Sequence, residues 1–276
     1  MVVTGASTGI GRATVRQLVR DGFRVWATVR RQTDAASLTD ELGAAVTPLL
    51  VDLEDHDSVR AAGRTVCAAG PLHALVNNAG AALPGPLELI PIEVFRRQLE
   101  INLVGQLLMT QVMLPALFEA AERAGDARIV MIGSVGGRVA GPILGPYSAA
   151  KHGLVGLTGS LRAELAPSKI KVVLIEPGAI ATPIWERGSA AGDSLSDVDP
   201  AAWARYAHQR ESAAKMAQRG TAKGLPPEVP ARIIVAALTD ANPAPRQGVG
   251  IEAKIVGAMV RLLPYRAIYR LAAARR

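Results

Sequence analysis

The sequence predicts a doubly wound α/β fold, a parallel sheet covered by helices on both faces. Three observations carry that prediction. Short apolar runs alternate with amphipathic helical patterns along most of the chain, the signature of βα repeats. Small and β-branched apolar residues dominate while aromatics are few, which suits strands buried on both faces. The first apolar run leads straight into a glycine-rich turn that opens a helix, and ligands in such sheets bind outside the carboxyl ends of the strands.

Taken in order, strands are expected at Met1–Thr4, Arg24–Val29, Val46–Leu50, Ala74–Asn77, Arg128–Ile132 and Lys171–Glu176, with a last one near Gly248–Glu252. Helices are expected at about Gly9–Arg20, Ala35–Leu42, His56–Ala69, Phe95–Ala124, Tyr147–Ala166 and Pro230–Asp240. A first strand this short is expected either to be clipped or to be preceded by further residues. The chain has 276 residues and shows no repeat, low-complexity tract or linker, so it reads as one domain over 1–276.

Two segments interrupt the alternation. Pro183–Pro227 is a long polar insertion after a strand end, expected to form a lid over 183–227 with a helix around Pro200–Gly220. The segment 253–276 pairs apolar residues with arginines at helical spacing and is expected to be a basic C-terminal helical extension.

Composition excludes several function classes. Cys67 is the only cysteine, so an intrachain disulfide and a cysteine-based metal cluster are both ruled out and a reducing, cytoplasmic setting is expected. Cys67 itself reads as a packed thiol, and no metal site is expected. The net charge is +7, but Arg246 to Arg276 contains seven basic residues and one acid. The body is therefore almost neutral, which argues against a nucleic-acid-binding face. No basic segment followed by an apolar run marks a secretory signal. Nor does any stretch offer the ~18 uninterrupted apolar residues of a spanning helix.

Residues 4–11 read Thr4-Gly5-Ala6-Ser7-Thr8-Gly9-Ile10-Gly11. Glycines are needed where backbone turns tightly and approaches a pyrophosphate, whose charge then meets the free N–H groups of a helix start. A plain strand–helix turn would not need three glycines at this spacing. At the end of the second strand the run is Ala27-Thr28-Val29-Arg30-Arg31, with no acid before Asp34. An acid there holds the ribose 2′-hydroxyl of NAD, whereas an arginine suits the 2′-phosphate of NADP. Arg30 therefore favours NADP(H), with Thr8 as a further hydroxyl contact. The other reading, two solvated surface arginines, leaves NAD(H) open.

Tyr147-Ser148-Ala149-Ala150-Lys151 lies in a helical pattern, and i, i+4 spacing puts the phenol and the ammonium on one face. A nearby positive charge is expected to lower a phenol from its ordinary pKa of about 10 and fit it for acid–base work. Ser134, at a strand end, supplies a hydroxyl to hold a substrate oxygen. His152 follows the lysine on another side of the helix and reads as structural.

With these motifs the chain resembles the short-chain dehydrogenase/reductase family, whose Rossmann-type fold matches from residue 2 to about residue 183. Asp52 after the third strand, Asn77-Asn78-Ala79-Gly80 after the fourth, Asn102 in a long helix, and Pro177-Gly178 followed by Thr182 stand where that family places them. The resemblance implies cofactor contacts at Gly5, Ser7, Thr8, Gly9, Ile10, Gly11, Arg30, Asp52, Leu53, Asn78, Ala79, Gly80, Tyr147, Lys151, Pro177, Gly178, Ile180 and Thr182. Asp52 would meet the adenine and Thr182 the nicotinamide carboxamide. It implies that Ser134 holds the carbonyl oxygen, Tyr147 transfers the proton, Lys151 binds the ribose and lowers the tyrosine pKa, and Asn102 supports a water reaching Lys151. On their own, Asp52 reads equally as a helix cap and Asn77 as a turn residue.

The stretch Gly133–Gly137 and the tail look most like members acting on hydroxysteroids and retinoids, which implies a lipophilic small-molecule substrate. Ile184, Trp185, Trp203, Tyr206 and Met216 either wall an apolar pocket or pack the lid on the body. The tail has three readings: a packed terminal helix with a solvated cationic face, a cap on the pocket or a partner subunit, or peripheral contact with an acidic membrane. The first ranks highest. By analogy the long helices pair into a homodimer or homotetramer, with a monomer as the alternative. The rival activities are an acyl-thioester ketoreductase and a catalytically silent nicotinamide sensor, the latter disfavoured by the intact Asn102, Ser134, Tyr147 and Lys151.

Overall fold

The computed structural model describes residues 1–185 and 200–273. Residues 186–199 of the expected lid and 274–276 of the tail lie outside the described residues. Seven parallel strands form one sheet in the order β3-β2-β1-β4-β5-β6-β7. They are β1 (Val2–Val3), β2 (Val25–Val29), β3 (Val46–Leu50), β4 (Ala74–Asn77), β5 (Ala127–Ile132), β6 (Ile170–Pro177) and β7 (Arg246–Val249). Register runs Val3 beside Ala27 on one side and Val76 on the other, with Met131 next to Asn77.

Alternation along each strand feeds two cores. Val2, Leu75, Ile129, Met131, Val172 and Leu174 face one side. Val3, Val76, Val130, Ile132, Val173 and Ile175 face the other. The first core is closed by α3 (His56–Ala68), α5 (Gly105–Ala124) and α6 (Gly145–Glu164) through Val59, Val66, Met109, Met113, Leu117, Leu154 and Leu161. The second is closed by α1 (Gly9–Arg20), α2 (Gln32–Leu42) and a later helix, Glu228–Thr239. The central strands β1, β4, β5 and β6 are thus buried on both faces, as their apolar sequences require. The order reverses between β1 and β4, and the carboxyl ends of these two strands open a crevice there.

Several expectations shift. The last strand is Arg246–Val249, earlier than the apolar run Gly248–Glu252 suggested. Among the described residues it pairs only with β6, and an edge strand tolerates the polar Arg246 and Gln247. Gly250, at φ +89°, ends it, and Ile251 opens a helix. The long helix starts at Ile92 as α4 (Ile92–Leu99), passes through a π-helical turn over Glu100–Val104, and continues as α5. From Ile92 to Ala124 it is long and apolar enough to cross a bilayer, although the sequence shows no uninterrupted apolar run. Half of its most apolar 18-residue stretch is buried in the protein, and Met109, Met113 and Leu117 pack it into the first core, so it is a core helix, interrupted by Asn102, Gln106 and Thr110. Among the described residues, the expected lid carries helices α7 (Pro200–Ala204) and α8 (Ala207–Lys223), ahead of α9 (Glu228–Thr239). The tail folds as α10 (Ile251–Leu262) and α11 (Tyr265–Ala273).

Candidate active site

The glycine turn and the Asn-Ala-Gly turn are built as one unit. Thr4 Oγ1 accepts hydrogen bonds from the Asn78 and Ala79 N–H groups, both at 2.9 Å. Asn78 Nδ2 returns a bond to Thr4 O at 2.8 Å and reaches Gly5 O at 3.3 Å. Gly5 adopts φ +66°, and a Cβ there would lie 2.7 Å from Ala79 Cα. A Cβ on Gly11 would lie 2.3 Å from Gly5 O and 2.6 Å from Asn78 Nδ2. Only glycine fits either position. Thr8 precedes α1 without any side-chain cap bond, so the first N–H groups of α1 stay available to a ligand.

Thr182 comes from the far side of the crevice to face this turn, its Cγ2 2.9 Å from where a Cβ on Gly9 would stand. Its loop is pinned where Gly178 N–H donates to Val249 O at 3.0 Å. A parallel bridge between Ile180 and Leu225 ties the same loop to the end of the lid. Pro177 is the last residue of β6. Asp52 follows β3, and its Oδ1 accepts from Glu54 N–H at 3.1 Å. Helix α3 is capped by Asp55 instead, so the capping reading of Asp52 does not hold. Leu53 is buried and packs against Gly105.

Arg30 stands exposed at the end of β2, whereas Arg31 is paired with Asp34 at 3.1 Å.

Ser134, Tyr147 and Lys151 converge at the carboxyl end of β5. Ser134 Oγ accepts from Gly136 N–H at 3.1 Å, and its hydroxyl stands near enough to the Tyr147 phenol to act on its pKa. Lys151 is buried, donates from Nζ to Ile132 O at 2.7 Å, and lies 5.9 Å from the Tyr147 ring centre. Burial lowers its pKa to about 8, which still leaves the ammonium mostly charged at neutral pH. The tyrosine departs from expectation. Burial raises its pKa above the ordinary phenol value, and the neighbouring Ser134 hydroxyl only opposes that push. Desolvation of the phenolate outweighs an ammonium that is hydrogen-bonded elsewhere. His152 bonds Ser148 O at 2.8 Å on the solvent side, and Cys67 Sγ packs 3.4 Å from Val112 O.

Asn102 is fully buried in the π-helical turn, and its amide grips the backbone of Ala81 twice, accepting from N–H at 2.9 Å and donating to O at 2.8 Å. It does so as one rung of a ladder. Gln98 accepts from Leu83 N–H at 2.6 Å and donates to Ala81 O at 2.9 Å. Gln106 donates to Ala79 O at 2.8 Å, and Thr110 Oγ1 accepts from Asn77 Nδ2 at 2.8 Å. Every fourth helix residue thus meets every second residue of the extended segment 77–83. An α-helix overshoots a full turn by about 40° in four residues. The wider π-helical turn offsets that drift and keeps Gln98 and Asn102 in line.

Sequence reasoning missed Gln98 and Gln106, whose only signal is a four-residue spacing of uncharged polar residues. It also missed Ile143, a β-branched residue at φ +68° just before α6, a strained conformation held by Gly85 N–H donating to its carbonyl at 2.8 Å. Trp185 does lie at the site, its ring 5.4 Å from that of Tyr147 and tilted by 56°. Tyr206 instead bonds Glu88 at 2.6 Å on the surface.

A glycine cradle with open helix N–H groups fits a dinucleotide, and the site beside it carries polar groups suited to a carbonyl or alcohol: the class this defines is a nicotinamide-dependent oxidoreductase. Residues 1–191 match the family model for short chain dehydrogenases. The chain belongs to the short-chain dehydrogenase/reductase family and is an NAD(P)-dependent oxidoreductase. It is 36% identical over 201 residues to an NADPH-dependent 3-dehydrocapnine reductase of Ornithobacterium rhinotracheale, covering 72% of this chain and 71% of the relative. Its structure is similar to that of a short-chain dehydrogenase from Streptomyces avermitilis, with TM-score 0.79 and 26% identity, over 98% of this chain and 96% of the other. A short-chain dehydrogenase from Burkholderia cenocepacia, solved in complex with NADP, matches with TM-score 0.73 and 25% identity over 98% and 94%.

Proposed function

We propose that the chain is an NADP(H)-preferring reductase or dehydrogenase of lipophilic carbonyl or alcohol substrates, with Tyr147 as the proton-transferring group. The carrying observation is the meeting of Ser134, Tyr147 and Lys151 at the end of β5, beside the cradle of Gly5, Gly9 and Gly11. When bound, the nicotinamide supplies a hydride to the substrate carbon or accepts one from it.

The remaining work falls to the side chains. Ser134 Oγ donates to the substrate oxygen and orients it. Tyr147 Oη gives that oxygen a proton in reduction and takes one in oxidation. Its raised pKa keeps the phenol protonated, the form needed for reduction. The Lys151 ammonium offsets the phenolate charge once the proton has left. Asn102, by gripping Ala81, holds the turn at Asn78, Ala79 and Gly80 against the cofactor. Asp52, Leu53, Pro177, Gly178, Ile180 and Thr182 line the rest of the cofactor path, with Ser7, Thr8 and Ile10 at the pyrophosphate. Trp185 over the Tyr147 ring supports an apolar substrate.

The whole chain then acts as one catalytic domain in the cytoplasm, with 183–227 as its lid. Exposed Val104 and Phe118 on the long helix support its pairing as a homo-oligomer.

Tyr147→Phe should lower turnover on the order of a thousandfold while leaving nicotinamide affinity within about twofold; retained turnover removes Tyr147 from the reaction. For the cofactor, the free Arg30 and the NADPH and NADP named for the two relatives support the phosphate-bearing form. Titration of Arg30→Asp should show NADPH binding weakened by roughly tenfold or more and NADH almost unchanged. Equal losses would remove Arg30 from the 2′-phosphate.

A further inference from the structure

The helix α10 is seated on the active-site loops by its inner face. Ala253 and Gly257 are buried, and a Cβ on Gly257 would come 2.7 Å from an Arg138 guanidinium nitrogen, just beyond the Ser134 loop. Glu252, the one acid of the tail, accepts from Ala179 N–H at 2.9 Å. The outer face is apolar and uncovered. Ile251, Ile255, Ala258 and Leu262 recur at i, i+4, i+7 and i+11, so they form a single stripe. Ile251 is 69%, Ile255 51% and Leu262 80% exposed. Leu263 and Tyr265 continue the surface into α11.

Cations flank this stripe. Lys254 and Arg261 lie along one border of it, two turns apart, and Arg266 and Arg270 are exposed on α11. No acid occurs between Ala253 and Arg276. An isologous contact with a second copy would bring these like charges face to face. A surface of anionic headgroups over acyl chains complements both the charge and the apolar stripe.

We propose that α10 and α11 dock the protein on an anionic lipid bilayer. Ile251, Ile255 and Leu262 enter the boundary between headgroups and acyl chains, and Lys254, Arg261, Arg266 and Arg270 rest on the headgroups. Because α10 sits on the loops at Arg138 and Ala179, the bilayer then lies beside the site, where an apolar substrate concentrates. The docking itself stands on the surface alone and is independent of which substrate is turned over.

The test is flotation of the full chain with vesicles of phosphatidylcholine alone and of phosphatidylcholine mixed with phosphatidylglycerol. The protein should float with the mixed vesicles, stay behind with the neutral ones, and be released by high salt. Ile255→Glu with Leu262→Glu should abolish flotation. Arg261→Gln with Arg266→Gln should weaken partition by roughly 25-fold, at about fivefold per charge. Melting curves of both variants should match the wild type, since all four side chains are exposed. Failure of the wild type to float with anionic vesicles overturns the proposal, as does unchanged flotation of either variant. A smaller oligomer in the Ile255→Glu, Leu262→Glu variant, seen by light scattering, overturns it in favour of a contact between copies.

Discussion

The two sides of the crevice are held in opposite ways. On the β1–β4 side, buried hydrogen bonds join Thr4, Asn78, Ala79, Ala81 and Leu83 into one lattice, closed from behind by Gln98, Asn102, Gln106 and Thr110. On the lid side, Arg205 and Tyr206, between α7 and α8, meet Glu88 on the surface, and the bridge of Ile180 to Leu225 ties down the far end of α8. A buried polar lattice admits one arrangement, because every unmade bond costs about 1–3 kcal/mol. Surface ion pairs exchange with water for little. On the function proposed above, the contrast assigns rigidity to the cofactor side and adaptability to the substrate side.

The largest effect should come from intruding on the rigid side. Gly11→Ala puts a methyl 2.3 Å from Gly5 O and 2.6 Å from Asn78 Nδ2, neither of which can yield without breaking the lattice. Nicotinamide binding should fall by on the order of a hundredfold or more, with a stability loss of about 1–3 kcal/mol from overpacking. Calorimetric titration alongside urea unfolding measures both. Wild-type affinity in this variant would show that the two turns are not a single unit.

A subtler break tests the ladder. Gln98→Leu preserves bulk but leaves Leu83 N–H without its 2.6 Å partner. Stability should drop by about 1–3 kcal/mol, the cost of a buried unsatisfied donor. Nicotinamide affinity should weaken less than in Gly11→Ala, because Asn102 still holds Ala81. A neutral urea midpoint would mean that water reaches the vacated rung.

The rigid side was also the more legible in the sequence. Gly5, Gly9, Gly11, Asn78 and Asn102 carry the signal in residue type, since close backbone approach and double-sided amide bonds admit few substitutes. The ladder escaped notice because Gln98 and Gln106 are ordinary helix residues, and a π-helical turn leaves no mark in composition. The tyrosine pKa was misjudged for a related reason: the i, i+4 spacing fixed which face the ammonium occupies, but not that Nζ would be committed to Ile132 O. Burial, a property of the whole fold, then decided the sign. The last strand was misplaced because an edge strand relaxes the apolar pattern on which strand reading depends. On the lid side, Trp185 and Tyr206 looked alike in sequence, yet one packs on Tyr147 and the other on Glu88. Apolar content alone cannot say which face of a surface helix turns inward.

The smallest effect should come from loosening the lid. Glu88→Gln removes the charge that Arg205 pairs with and weakens the acceptor for Tyr206. These groups are exposed, so the melting temperature and the nicotinamide affinity should both stay at wild-type values. What should change is the substrate KM, by about two- to fivefold, because the lid spends more time away from the body. The split between an unaltered cofactor constant and a shifted substrate constant is the signature to look for. Were both constants to move together, the lid would be coupled to the cofactor lattice through the Ile180–Leu225 bridge, and the two sides of the crevice would have to be treated as one mechanical body.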